Sequence, residues 1–212
     1  LIIGLSGYAR SGKDEAAKVL VEQHGFTRIA FADKLRDFLY ALNPLVSNNL
    51  YLKSDDIGWH LWGKNEPMRV RDVIDYAGWD GYKESPYGQE IRELLQRLGT
   101  EAGRQVLGEN IWVDSAFIGL DPNKNYVITD VRFPNEAEAV RERGGCLWRI
   151  NRAGIGPANN HASELSLDDY QDFHQYLNND GTVEEYHEKV NRSAVRWLET
   201  FNSIKEQYEK RA

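Results

Sequence analysis

The residues 7-GYARSGKDE-15 constrain this chain more than any other stretch, because they stand between an apolar run and a helical one. Leu1-Ile2-Ile3-Gly4-Leu5-Ser6 has the length and unbroken hydrophobicity of a strand covered on both faces. Beyond the stretch, Ala16, Ala17, Val19, Leu20 and Val21 recur at helical spacing among Asp14, Glu15, Lys18 and Glu22, until His24-Gly25 closes the run. The residues between, Gly7 to Lys13, read G-x-x-x-x-G-K. A strand that enters a helix through such a loop turns backbone N–H groups and the helix N-terminus toward an anion, and Lys13 is set to reach β- and γ-phosphates. A turn with no phosphate to bind has no need of a lysine there. Gly7, Arg10, Ser11, Gly12 and Lys13 are therefore expected to form a nucleotide phosphate site.

The pattern ordinarily continues with Ser or Thr, whose hydroxyl ligates Mg²⁺. Here Asp14 follows, and then Glu15. A carboxylate can reach the ion directly or through water, or it can cap the helix dipole and never meet the metal, and both readings stand. In either case Mg²⁺ or Arg10 has to offset the repulsion of a polyphosphate by Asp14 and Glu15.

A chain of 212 residues with a net charge of −7 fits one soluble enzyme domain without a surface for coating nucleic acid. Its one cysteine, Cys146, lies in an apolar run, so disulfides and cysteine metal sites are excluded. No apolar segment has the length of a membrane span, and the N-terminus reads as strand rather than signal peptide.

Further strands are expected at 26–31, 126–129, 146–150 and 174–177. Helices are expected over 32–39, over 91–104, over 134–143 behind Pro134, and from Thr182 onward. In the 91–104 helix Ile91, Leu94, Leu95 and Leu98 form the apolar stripe, Arg92 and Gln96 share the polar face one turn apart, and Gly99 is expected to break the run. The last helix starts on a Thr182/Glu185 capping box and should bury Val183, Tyr186, Val190, Ala194, Trp197, Phe201 and Ile204. Residues 43–90, rich in Asn, Asp, Gly, Pro and Trp, read as an irregular insertion of the kind that closes over substrate. The alternation implies an α/β fold, a parallel five-stranded sheet wrapped by helices, with the phosphate loop at the carboxyl end of the first strand.

That end of a parallel sheet is where ligands bind. Asp130 closes the third predicted strand and suits Mg²⁺, although a helix-capping role fits the same position. Arg132 beside it has little packing value and suits a transferring phosphoryl group. The histidines, His161 and His174 among them, have no metal-ligand spacing.

GYARSGKD, FADKLRD, IRELLQRLGTEAGR with ENIWVD, YVITDVRFPNEAEAVRERGG, and HASE with LNNDGTVEEY occur in this order across most of the chain. As a set they resemble the deoxynucleoside monophosphate kinases of bacteriophages, within the P-loop nucleoside monophosphate kinase group. The family usually carries Thr after the Asp of the loop, where this chain has Glu15. The resemblance implies one adenylate kinase-like P-loop kinase domain over 1–212, with 43–90 as the inserted acceptor-binding region. It implies transfer from ATP to a dNMP with Mg²⁺ as cofactor. Lys13, Asp130, Arg132 and Arg152 would serve catalysis, with Arg152 on a lid-like loop over 151–163. Asp14, Glu15, Asn179, Asp180 and Gly181 would join the loop in binding ATP, and Asp14 and Asp130 would hold the metal. Asp33, Lys34, Arg69, Arg92, Gln96 and Arg132 would bind the monophosphate. The expected location is the cytoplasm, that of the host for a phage-encoded chain, with no nucleic-acid or membrane partner, and both a monomer and a homodimer are open. Two rivals stand beside this reading. One is another small-molecule kinase, such as a dephospho-coenzyme A kinase-like enzyme with Asp33 as base. The other is a non-catalytic nucleotide-binding protein, conceivable from Asp14 and Glu15.

Overall fold

The structure is a computed structural model that describes residues 1–47, 67–157 and 162–210. In chain order its elements are β1 (Ile2–Ser6), α1 (Lys13–His24), β2 (Thr27–Ile29), α2 (Phe31–Leu42), β3 (Leu45–Val46), β4 (Met68–Arg69), α3 (Val70–Gly81), α4 (Gly88–Arg97) and α5 (Ile111–Phe117). Then follow β5 (Tyr126–Ile128), α6 (Pro134–Glu142), β6 (Cys146–Asn151), α7 (Ala162–Leu165), β7 (Gln175–Asn178) and α8 (Val183–Glu209). The chain divides into two compact units, Leu1–Phe31 with Ala116–Ala212, and Ala32–Ser115. Among the described residues no helix is long and apolar enough to cross a membrane.

The first unit holds a five-stranded sheet in the order β2-β5-β1-β6-β7, parallel throughout. This is the sheet that the alternation predicts. β1 has neighbours on both edges and helices on both faces, which is why its sequence is apolar without alternation: Ile3 and Leu5 are fully buried. They pack with Val127 of β5, Trp148 and Ile150 of β6, Ala16, Val19 and Leu20 of α1, and Tyr186, Val190 and Ala194 of α8. The capping box of α8 is made as expected, with the Thr182 N–H donating to Glu185 Oε2 at 2.9 Å and the Glu185 N–H to Thr182 Oγ1 at 3.2 Å. Its buried face is shorter than the periodicity implies, since Val183 is 54% and Ile204 48% exposed. A helical period says which residues share a face, while burial also needs a neighbour to cover it.

The strand expected over 26–31 is cut to three residues because Phe31 already begins α2, its N–H donating to Asp130 Oδ1 at 2.8 Å.

The second unit has its own core of Leu39, Val46, Met68, Val70, Val73, Ile74, Tyr82, Tyr87 and Ile91. It corrects the reading of 43–90 as irregular. Residues 48–66 lie outside the described residues, but on either side Leu45 pairs with Arg69 and Val46 with Met68 in an antiparallel ladder, and α3 follows at once. Val70, Val73 and Ile74 give α3 a helical stripe that the surrounding Asp, Gly and Trp residues mask in composition. The break expected at Gly99 does not occur either. The helix widens into a π-helical segment, Leu98–Leu107, with the Trp112 indole N–H donating to the Gly99 carbonyl at 2.8 Å. A side chain at Gly103 would overlap the Trp112 ring.

Candidate active site

β1 ends at Ser6 and the loop turns over Gly7, whose φ of 145° and closeness to the Ile150 carbonyl of β6 leave no room for a side chain. Gly12, with φ 109°, is the N-cap of α1, and a Cβ there would strike the Asn179 side-chain amide. The loop is braced from behind. Asn179 Nδ2 donates to the Ser11 carbonyl at 2.9 Å and the Tyr186 hydroxyl to the Gly12 carbonyl at 3.2 Å. These bonds engage carbonyl oxygens that would otherwise repel a phosphate.

Lys13 Nζ donates to the carbonyls of Gly7 and Tyr8 at 2.7 and 2.8 Å. Burial lowers its pKa to about 8, with Arg132 and Arg149 pressing the same way and Asp14 and Glu164 opposing them. The folded value lies below the unfolded 10.5, so the unfolded chain binds more protons between about 8 and 10.5, and stability rises with pH across that window. Binding has the opposite sign, because a phosphate favours the ammonium form. ATP affinity, measured by calorimetry, should be level below about pH 8 and fall toward tenfold per pH unit above it. A level affinity up to about pH 9.5 would mean that Lys13 does not meet the phosphates.

Two guanidiniums stand with Lys13. The Arg132 and Phe133 N–H groups both donate to Oε2 of buried Glu136, at 2.8 and 3.1 Å, and Arg132 Nη1 lies 2.9 Å from Glu164 Oε1. Arg149 donates to Ser6 Oγ at 3.2 Å and to Asp168 Oδ1 at 2.9 Å, and its guanidinium lies 5.0 Å from the Tyr8 ring centre. Burial, with Asp168 adding to it, raises the Tyr8 phenol above its usual range.

The other predicted residues of this unit have definite places. Asp130 Oδ1 accepts from the N–H of Phe31, the first residue of α2. Asp14 is exposed in the first turn of α1 but is not its cap, which is Gly12 without a side-chain bond. Glu15 is engaged by His187, Oε2 to Nε2 at 2.9 Å. Arg152 Nη1 is 3.5 Å from the Arg10 carbonyl, and the Ala153 N–H donates to Asp180 Oδ1 at 2.8 Å. Of the expected lid, residues 158–161, with His161, lie outside the described residues. Gly181 sits against the Glu185 side chain.

In the second unit Arg92 and Gln96 are exposed on α4, as the stripe requires. Asp33 pairs with Arg36 at 3.4 Å, Lys34 with Asp37 at 3.5 Å, and Arg69 donates to the Asn43 carbonyl at 3.0 Å. Burial raises the Tyr82 phenol, while Arg92 and Arg36 pull it back, so both guanidiniums act on one buried ring. Arg36 also lies 5.9 Å from the Trp79 ring centre. Arg36, Arg149, Glu164 and Asp168 carry no site role in the sequence reading, which names Glu136 within one turn of Asp130. Arg36 and Glu164 do stand inside FADKLRD and HASE, which is the signal that could have found them.

A loop built for polyphosphate, flanked by arginines on a parallel sheet, narrows the chemistry to phosphoryl transfer, and relatives narrow it further. Residues 70–190, more than half the chain, match the family described as deoxynucleotide monophosphate kinase. The chain belongs to that family. It is 29% identical over 204 residues to a protein of Acanthamoeba polyphaga mimivirus that carries the family's name, covering 90% of this chain and 94% of the relative. It is also 29% identical over 180 residues to the deoxynucleoside-5'-monophosphate kinase of Escherichia phage T5, covering 67% and 72% of the two chains. To the deoxynucleotide monophosphate kinase of Enterobacteria phage T4 it is 24% identical over 234 aligned positions, covering 89% and 96%.

Proposed function

We propose that this chain transfers the γ-phosphoryl group of ATP to the phosphate of a deoxynucleoside monophosphate, giving ADP and a deoxynucleoside diphosphate. The observation that carries the reading is the braced loop with Lys13 half-buried in it and Arg132 and Arg149 within its field. An oxygen of the acceptor phosphate forms the new bond to γ-phosphorus while the β,γ-bridging bond breaks and its electrons pass to ADP. The acceptor oxygen is already ionised at neutral pH, so no base has to remove a proton. The protein's work is to align two anions and to offset the charge that spreads over the transferred group. Lys13 and Arg132 do this on the donor side. On the acceptor side Arg92 and Arg36 hold the monophosphate's phosphate, Gln96 contacts its sugar or base, and Asp33, Lys34 and Arg69 complete the polar lining. Arg152 joins the phosphates from the β6 side, and Asn179 to Gly181 border the adenine.

Hard oxygen ligands suit Mg²⁺, which takes one or two carboxylates together with substrate phosphates. Asp14 is an exposed carboxylate next to Lys13, and it would hold the ion with Asp130. When bound, the ion neutralises charge on the β- and γ-phosphates. Asp14→Ala is expected to raise the Mg²⁺ concentration for half-maximal activity several-fold, about tenfold at most, while Asp14→Ser keeps it near wild type. One midpoint for all three proteins would leave the ion to Asp130 and the phosphates.

Coupled ADP release with a panel of deoxynucleoside monophosphates, ribonucleoside monophosphates and dephospho-coenzyme A tests the reaction. Turnover with dephospho-coenzyme A alone would favour the rival in which Asp33 acts as base. ATP binding without turnover of any acceptor would favour the non-catalytic reading. Arg92→Ala should raise KM for the monophosphate by roughly tenfold to a hundredfold and KM for ATP by less than about threefold. Equal shifts in both would remove Arg92 from the acceptor site.

A further inference from the structure

Arg132 is fixed at both ends by carboxylates. Glu136 holds its backbone N–H, and Glu164 holds its guanidinium. The second contact is unusual as packing. The Glu164 side chain is only 10% exposed, its Oε1 meets Arg132 Nη1 at 2.9 Å, and its buried Oε2 has no protein hydrogen-bond partner among the described residues. Taking a carboxylate out of water costs more than one formed hydrogen bond returns, and the arginine side of the pair is 43% exposed, where ion pairs add little stability. As a structural tie the pair is therefore weak. Its location supplies another reason for it. Glu164 lines a cavity of about 10 Å³, room for one water, whose other walls are Ser6, Gly7, Val131, Arg132, Arg149 and Leu167. These include the end of β1 and the first glycine of the phosphate loop.

We propose that Glu164 is a positioning residue for phosphoryl transfer, holding the Arg132 guanidinium at the phosphate loop before substrate arrives. An arginine ordered in advance stabilises the transition state without the cost of ordering a long side chain during the reaction. Arg132 then uses its remaining N–H groups on the transferred group while Glu164 keeps one. The inference rests on the phosphoryl-transfer reading above.

The test compares kcat, both KM values and thermal unfolding for Glu164→Ala, Glu164→Gln, Arg132→Ala and the Glu164→Ala/Arg132→Ala pair. Glu164→Ala should lower kcat by roughly tenfold to a hundredfold, leave both KM values within about threefold, and leave the melting temperature unchanged or higher. Glu164→Gln, which keeps an acceptor for Nη1, should recover most of the loss. On the Arg132→Ala background, removing Glu164 should cost less than about threefold more, because nothing is left to position. A full, additive loss on that background, a loss carried by KM alone, or a lower melting temperature with kcat intact would each overturn the inference. A wild-type protein that turns over no acceptor would instead sink the reading on which it rests.

Discussion

Lys13→Ala should lower kcat/KM for phosphoryl transfer by roughly a thousandfold or more while the protein still folds. The two halves of this expectation have one physical source. Burial lowers the Lys13 pKa to about 8, which means that holding the ammonium in the loop is costly. Its two hydrogen bonds, to the Gly7 and Tyr8 carbonyls, only partly offset that cost. Removing the side chain therefore leaves thermal stability unchanged or higher, and the fold does not depend on it. A bound triphosphate reverses the balance, since its charge favours the ammonium form. Steady-state kinetics and thermal melts on the same preparation check both halves. Activity within about tenfold of wild type would remove the phosphate-loop reading.

The second large effect is expected at Gly7. In Gly7→Ala the new methyl group would run into the Ile150 carbonyl and lie 2.8 Å from Ser11 Oγ, at a φ of 145° that side chains rarely adopt. Ile150 belongs to β6, which is hydrogen-bonded to β1 on one side and β7 on the other, so its backbone cannot yield. The loop must move instead, and with it the backbone that surrounds the phosphates. A loss of roughly 2–3 kcal/mol in stability and of about a hundredfold or more in ATP affinity is expected, by denaturant titration and calorimetry. Gly156→Ala is the control. A Cβ there meets nothing within 4 Å and its φ is ordinary, so its stability should match wild type. Equal behaviour of the two variants would show that the loop tolerates displacement.

Much of this was legible in the residues because the relevant signals are local. The phosphate loop is a contiguous stretch whose flanks declare a buried strand and a helix. Thr182 and Glu185 announce the start of α8 from three positions apart. Ile91, Leu94, Leu95 and Leu98 separate the buried face of α4 from the face that carries Arg92 and Gln96. Where a local signal is diluted by its surroundings, the residues mislead. Val70, Val73 and Ile74 have helical spacing, but they lie in a segment whose composition reads as loop and hides α3. Gly99 reads as a helix breaker until Trp112, thirteen residues later, takes its carbonyl and the helix widens instead.

The surroundings of the site belong to the second kind. Arg132 and Glu164 are 32 positions apart, Arg149 and Ser6 143, and Glu15 and His187 172. No periodicity spans such distances, so only the fold decides which charges meet: the sheet brings the ends of β1, β5 and β6 side by side, and α8 packs with α1. The two acids after Lys13 illustrate the division. Residue order makes both of them neighbours of the phosphate loop, yet in the fold Asp14 acts on the Lys13 charge while Glu15 turns to α8. Sequence by itself determined that this chain carries a phosphate loop on a parallel α/β sheet, because strand, turn and helix are written in adjacent residues. The charge that Lys13 bears, the partner that holds Arg132 and the brace behind Ser11 and Gly12 were decided by tertiary structure, because burial and long-range pairing exist only once distant segments are packed together.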